Sequence, residues 1–116
     1  MTAYPHLAYA DAIHAALVAA GHTPGSLTAT VTPSDDLAVL YTWPDGLRLS
    51  WHSVRGWRHD HLDHGGPLLI SLAADPQAVA DTVALLAAGR PPVPRSEQWE
   101  QARALDIAIA EWEAER

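Results

Sequence analysis

The chain contains no cysteine, no lysine and no phenylalanine, and it has a single methionine. Without cysteine it has neither a disulfide framework nor thiolate ligands for a metal, and a thiol nucleophile is excluded. No stretch of apolar residues approaches the roughly 20 that span a bilayer, and no basic segment followed by an apolar run stands at the start of the sequence. From these absences we expect a cytoplasmic protein.

Acidic residues outnumber basic ones in this chain. Fourteen Asp and Glu stand against seven arginines, which gives a formal net charge of −7 at pH 7. Such a charge opposes binding to nucleic acid or to an anionic membrane through a broad basic surface, so we expect neither as a partner. The abundance of Ala, Arg, Asp, Pro and Trp beside the missing Lys and Phe is typical of a high-GC genome, and we expect an actinobacterial source.

The spacing of apolar residues predicts an α+β fold. A length of 116 residues suits one hydrophobic core. Helical spacing between a proline and a glycine predicts helices over 5–20 and 76–88, and alternation predicts an antiparallel sheet of about four strands with both helices on one face. The predicted organisation is an α+β domain over residues 1–90, a proline-rich connector over 91–95 and a C-terminal amphipathic helix over 96–116, capped by Ser96.

Strand signals are clearest in the first half of the chain. Apolar and polar residues alternate over 27–32, 37–43 and 47–52, and the chain then returns through 57–61. After a break at Gly65-Gly66-Pro67, the aliphatic run 68–72 predicts a short, well-covered strand. Trp43 and Trp51 continue the apolar alternation of their strands, and we expect both to be mostly buried.

Several of these segments resemble a family of small actinobacterial proteins of unknown function. The similar features are Asp36–Trp43, Leu47–Trp51, the pair Gly56-Trp57, and the segment Leu68–Gly89 with its Asp-Pro helix start. The resemblance implies the same order of helices and strands. It implies no activity, because none of these features is a catalytic signature and the family has no assigned function.

The segment HDHLDH at residues 59–64 places three imidazoles and two carboxylates side by side. These groups are the usual ligands of Zn²⁺ and other divalent metals. The spacing HxHxDH resembles the first metal motif of the metallo-β-lactamase-fold hydrolases, which implies His59, His61, Asp63 and His64 as ligands. Those enzymes take further ligands from downstream loops, whereas this chain has no histidine after His64 and is short for their four-layer fold. We therefore interpret the match as coincidental.

His52 offers a second version of the metal hypothesis. If the hairpin closes at Val54-Arg55, the side chain of His52 shares the exposed sheet face with His59 and His61, and the three imidazoles form a candidate metal site. The alternative is a solvated strand face on which His and Asp interact without any chemistry. Both interpretations remain open at the level of sequence.

The last helix presents an apolar stripe with two tryptophans, the residue type most enriched at interface hot spots. The stripe consists of Trp99, Leu105, Ile109 and Trp112. It can fold back on the sheet of its own chain, or it can dock on a second copy or on another protein. Because the connector is stiff, we favour the intermolecular contact.

Together these patterns predict a small non-enzymatic protein-interaction or accessory module that binds a protein partner or self-associates as a homo-oligomer, with no cofactor. The chain has no G-x-S-x-G nucleophile motif and no glycine-rich phosphate loop before a helix, which weighs against an enzyme. The alternative is a small metal-binding protein or metal-dependent hydrolase that uses the HDHLDH cluster with zinc or another divalent metal.

Overall fold

The computed structural model describes residues 4–62 and 64–115. Within them the elements are α1 (Leu7–Ala19), β1 (Ser26–Val31), β2 (Leu37–Thr42), β3 (Leu47–His52), β4 (Gly56–His61), β5 (His64–Pro67), α2 (Pro76–Ala87) and α3 (Ala102–Ala114). The strands pair in chain order, each antiparallel to the next. The predicted α+β fold is confirmed, with five strands in place of about four.

One face of the sheet is buried under the helices. Every second residue of β2 and β3 is buried, as the alternation of apolar side chains predicts for a sheet with one covered face. Buried residues of α1 and α2 belong to the same core cluster: Tyr9, Ala10, Ile13, Leu17, Val79, Ala80 and Val83. The opposite face carries no helix in the described part of the chain.

Aromatic side chains occupy the centre of the core. Trp51 is 1% exposed, and Trp43 is partly buried against the core cluster and donates its indole N–H to the carbonyl of His22 at 3.1 Å, in agreement with the prediction for both. The ring of Tyr9 lies 5.9 Å from that of Trp51 and 6.2 Å from that of Trp57. These contacts join α1 to the middle of the sheet.

The predicted strand over 68–72 is wrong. Its backbone belongs to no strand: the N–H of Leu68 donates to the carbonyl of Trp57, and Ile70 forms an isolated parallel bridge with Arg95. Just after it, a second isolated bridge joins Ala74 to Gln98. The fifth strand is instead β5, which includes Gly65 and Gly66, where the sequence predicted a break. Backbone pairing with β4 therefore overrides the low strand propensity of these glycines.

The C-terminal segment lies along the rest of the chain. Its helix begins at Ala102 and not at Ser96 as predicted. Before it, the backbone N–H of Arg95 donates to Leu69, and that of Trp99 donates to Ala73, at 3.0 and 2.8 Å. The connector thus returns the chain to its own core, contrary to the expectation that it holds the helix away. The predicted division of the chain into a domain and a separate helix at residue 90 stays a prediction.

Among the described residues no helix is long and apolar enough to cross a membrane.

Candidate functional site

The segment HDHLDH forms the hairpin of β4 and β5. His61 pairs with His64, and Leu62 after His61 adopts a left-handed φ of 55°. Residues two apart on a strand share a face, and so do residues directly opposite on paired strands. His59, His61 and His64 therefore project from one face. Asp63 lies outside the described residues.

These three histidines lie on the face that the helices cover, at the edge of the core. In the β3–β4 register His59 is opposite Leu49 and His61 is opposite Leu47, and both leucines are buried. Burial lowers the pKa of His59. The ring of His61 lies against the turn after β2, with Nε2 3.2 Å from the carbonyl oxygen of Asp45.

His52 lies on the opposite face, so the predicted triplet of His52, His59 and His61 is wrong. His52 pairs with Gly56 across a turn formed by residues 53–55, and Gly56 adopts a left-handed φ of 79°. The prediction assumed a turn shorter by one residue, and a slip of one residue moves a side chain to the other face. The Nδ1 atom of His52 instead accepts the backbone N–H groups of Val54 and Arg55, both at 3.1 Å.

Metal ligation by the hairpin stays a prediction. Over residues 4–62 and 64–115, no three His, Asp or Glu side chains are arranged to hold a metal ion. The three imidazoles share a face, but a common ion would require their side chains to reorient. Asp63 is outside the described residues and is not one of these side chains.

A cavity of about 370 Å³ lies between the histidine hairpin and the end of α2. Its lining consists of three imidazoles, one arginine, one glycine and four apolar residues: His59, His61, His64, Arg90, Gly89, Leu47, Leu86, Pro91 and Pro92. None of these lining residues is acidic. The sequence indicated the histidines as candidate site residues, but not Arg90, Pro91 and Pro92, which are remote from them in the chain. The only sequence feature that bears on these three residues is Gly89, which ends α2.

The uncovered face of the sheet forms a second candidate surface, which we call the open face. It carries small and hydroxyl side chains around Leu40, with arginines on β3 and β4: Thr28, Thr30, Ala38, Leu40, Arg48, Ser50, His52, Arg58 and Asp60. Arg48, Arg58 and the neighbouring turn residue Arg55 are exposed, and none forms an ion pair with a described residue. Arg95, by contrast, is paired with Asp81 and Glu97.

The four residues of the predicted docking stripe lie against the core of their own chain. Leu105 is buried, and Trp99, Ile109 and Trp112 are half-buried and pack on the core cluster. The ring of Trp99 stands 5.0 Å from that of Tyr9. Their use in an intermolecular contact stays a prediction.

Comparison of the chain with family models, curated proteins and solved structures gave no significant match. The resemblances drawn from its sequence therefore remain predictions.

Proposed function

We propose that this protein is a non-enzymatic interaction module whose open face binds an acidic segment of a partner protein. The observation that carries the proposal is the concentration of arginines without an ion pair to a described residue, on the sheet face that no described helix covers. Arg48 and Arg58 project from that face, and Arg55 borders it. An exposed sheet surface of this kind is available for contact without any rearrangement of the fold.

Charge complementarity supports an acidic partner. The open face and its border hold three of the seven arginines of a chain whose formal net charge is −7. The acids near them are Asp60, opposite Arg48 in the register, and Asp36, which lies 3.6 Å from His52. Three arginines thus stand beside two acids on this side of an acidic chain, and this excess of positive charge would attract and orient an acidic partner.

The side chains between the arginines suit an extended peptide. Leu40 offers an apolar contact at the centre, half-buried among the hydroxyl groups of Thr28 and Ser50. Hydroxyl groups donate to and accept from peptide groups, and arginine binds carboxylates with two parallel hydrogen bonds. Arginine is also among the residues most enriched at interface hot spots.

The test uses a fluorescein-labelled peptide in which Glu alternates with Leu, and a matched peptide with Gln in place of Glu. We expect saturable binding of the acidic peptide, measured by anisotropy at low salt, and at least about tenfold weaker binding of the Gln peptide. The double variant Arg48→Ser, Arg58→Ser should lose about tenfold in affinity for the acidic peptide. The control Arg103→Ser, at an exposed position of α3, should not.

If both peptides bind with equal affinity, or if the double variant binds the acidic peptide as tightly as the wild type does, the open face is not an acidic-peptide site. The oligomeric state is measured in parallel by light scattering. A dimer that the double variant dissociates, while the control does not, would show that the occupant is a second copy, which carries the exposed Glu111 and Glu113 on α3 and Glu115 just after it.

Metal binding by the hairpin is the second candidate function, favoured by the common face of His59, His61 and His64. Elemental analysis of protein purified without a polyhistidine tag tests it directly. Stoichiometric zinc that is lost in His61→Gln would support the metal-binding alternative, and a metal-dependent hydrolase could then be sought. Protein without bound metal after dialysis against zinc would reject both.

A further inference from the structure

We propose that the cavity beside the histidine hairpin is a binding site for a small organic anion, with the carboxylate at the imidazoles and Arg90 and an apolar body against the leucines and prolines. The site is separate from the open face, because its histidines project from the helix-covered side of the sheet. The proposal therefore does not depend on the proposed function.

The end of α2 builds one wall of the cavity. The helix ends at Ala87, and Gly89 turns the chain with a left-handed φ of 73°. The backbone N–H of Arg90 then donates to the carbonyl of Leu85 at 2.9 Å. This local structure fixes the start of the proline-rich connector beside the hairpin and brings Arg90 to the cavity lining.

The hairpin builds the opposite wall. His61 and His64 face each other across β4 and β5, and His59 lies two residues before His61 on the same face. His59 and His64 each carry an N–H group that can donate to an oxygen of the ligand, whereas Nε2 of His61 lies against the carbonyl of Asp45. Hydrogen bonds to a carboxylate are stronger and shorter than those to a neutral acceptor. The wall thus presents donors from two strands.

The charge of the lining decides between an anion and a cation. The guanidinium of Arg90 is a cation with five donors, and none of the described lining residues is acidic. The C-terminal end of a helix has a partial negative charge, but the carbonyls of Ala84, Leu85 and Leu86 accept N–H groups of residues 88–90. A guanidinium in the lining favours an anionic ligand and disfavours a metal ion.

Size and apolar surface decide the class of anion. A volume of about 370 Å³ lies within the range of small-molecule sites, which runs from roughly 300 to 1,000 Å³. Leu47, Leu86, Pro91 and Pro92 contribute apolar surface to the lining. An inorganic anion would leave these walls without contact, whereas an aromatic or branched carboxylate would cover them.

The test titrates the full, ¹⁵N-labelled chain with sodium benzoate, and separately with benzamide, a neutral molecule of the same shape. We expect benzoate to shift the backbone amide signals of residues 59–66 and 85–90 saturably, and benzamide to bind at least about tenfold more weakly. Arg90→Met should weaken benzoate binding about tenfold, because it keeps the length of the side chain and removes the charge. Arg103→Met is the matched control, since Arg103 is an exposed arginine outside the cavity lining.

Three outcomes would overturn the proposal. Benzamide that binds as tightly as benzoate would show that charge is not recognised. Unchanged benzoate affinity in both Arg90→Met and His64→Gln, each with a wild-type spectrum, would remove the assigned donors. Zinc chloride that shifts the hairpin signals where benzoate does not would make the cavity a metal site. None of these results bears on peptide binding at the open face, which depends on Arg48 and Arg58.

Discussion

Trp51 and Trp57 lie opposite each other on β3 and β4, and both indole N–H groups donate to the same acceptor, the carbonyl oxygen of Leu72, at 2.8 and 3.1 Å. Beside them the hydroxyl of Tyr9 donates to the carbonyl of Ala74 at 2.6 Å. Three aromatic side chains of the core thus hold the irregular segment 68–75 against the sheet. This segment in turn pairs with the start of the C-terminal region.

The shared acceptor predicts non-additive effects of substitution. Trp51→Phe or Trp57→Phe alone should lower the free energy of unfolding by about 1 to 2 kcal/mol, because the remaining indole still satisfies the carbonyl of Leu72. The double variant should lose about 1 kcal/mol more than the sum, since that part-buried carbonyl then has neither donor. Urea denaturation followed by far-UV circular dichroism measures both effects.

Trp43→Phe provides the control for this cycle. The indole of Trp43 donates to His22, a different acceptor, so its effect should add to that of Trp57→Phe within about 0.5 kcal/mol. Additive effects of Trp51→Phe and Trp57→Phe would contradict the role of the common carbonyl.

A second prediction concerns the packing of α3. Leu105 is 5% exposed and belongs to the core cluster, whereas Ile107 on the same helix is 50% exposed. Leu105→Ala should lower the free energy of unfolding by about 2 to 4 kcal/mol, because it leaves a cavity in the core, and Ile107→Ala should cost less than about 1 kcal/mol. Thermal and urea denaturation of Leu105→Ala and Ile107→Ala, two substitutions on the same helix, provides the matched comparison.

Light scattering on the same two variants separates packing from association. If Leu105→Ala dissociates an oligomer without loss of stability, the stripe of α3 serves an intermolecular contact, as the sequence suggested. Loss of stability at an unchanged oligomeric state would assign Leu105 to the core of its own chain.

The sequence predicted those parts of the fold in which side chains alternate strongly. In β2 and β3, the residues Leu37, Val39, Tyr41 and Trp51 mark the buried face directly, because the period of a strand is two. β5 was missed for the opposite reason: its pairing depends on the turn before it and on backbone hydrogen bonds, and Gly65 and Gly66 have no side chains from which a face could be read.

The candidate site was predictable in composition but not in geometry. HDHLDH was recognisable as a cluster of ligating groups, yet the face of His52 relative to His59 depends on whether the β3–β4 turn has two residues or three. Turn length is weakly encoded there, because Gly56 suits several turn types. Arg90 was not foreseen, since only the path of the chain after α2 brings it to the hairpin.

A third prediction concerns pH and His6. This side chain is fully buried and stacks on Trp51, its Nε2 lies 3.2 Å from the carbonyl of Ala38, and its Nδ1 has no partner among the described residues. Burial lowers the pKa of His6 below its ordinary value of 6.5, and hydrogen bonds to backbone carbonyls oppose this only in part. Between the lowered pKa and 6.5, the unfolded chain binds a proton that the folded chain excludes. The free energy of unfolding should therefore fall as the pH drops below about 6.5.

His6→Phe should flatten this dependence, because phenylalanine keeps the ring contact and cannot titrate. Urea denaturation at pH 7.5, 6.5 and 5.5 gives the slope for each protein, and His14→Gln on α1 serves as the control. A slope in His6→Phe equal to that of the wild type would mean that other groups, such as His59 with its similarly lowered pKa, account for the pH dependence.

The last prediction concerns the closeness of β4 and β5 at Gly65. A Cβ atom at this position would lie 2.9 Å from the carbonyl oxygen of His59 and 3.3 Å from the Cα of Asp60, both backbone atoms of the paired strand. Gly65→Ala should therefore separate the strands, at a cost of about 1 to 3 kcal/mol. Because β5 is an edge strand, we expect the loss to show mainly as faster hydrogen exchange of the β4–β5 amides, with a smaller effect on global unfolding. His64→Ala, at an exposed neighbouring position, should leave that exchange unchanged. If Gly65→Ala keeps wild-type protection, the two strands do not pair at the distance described, and the common face of the three histidines would lose its structural basis.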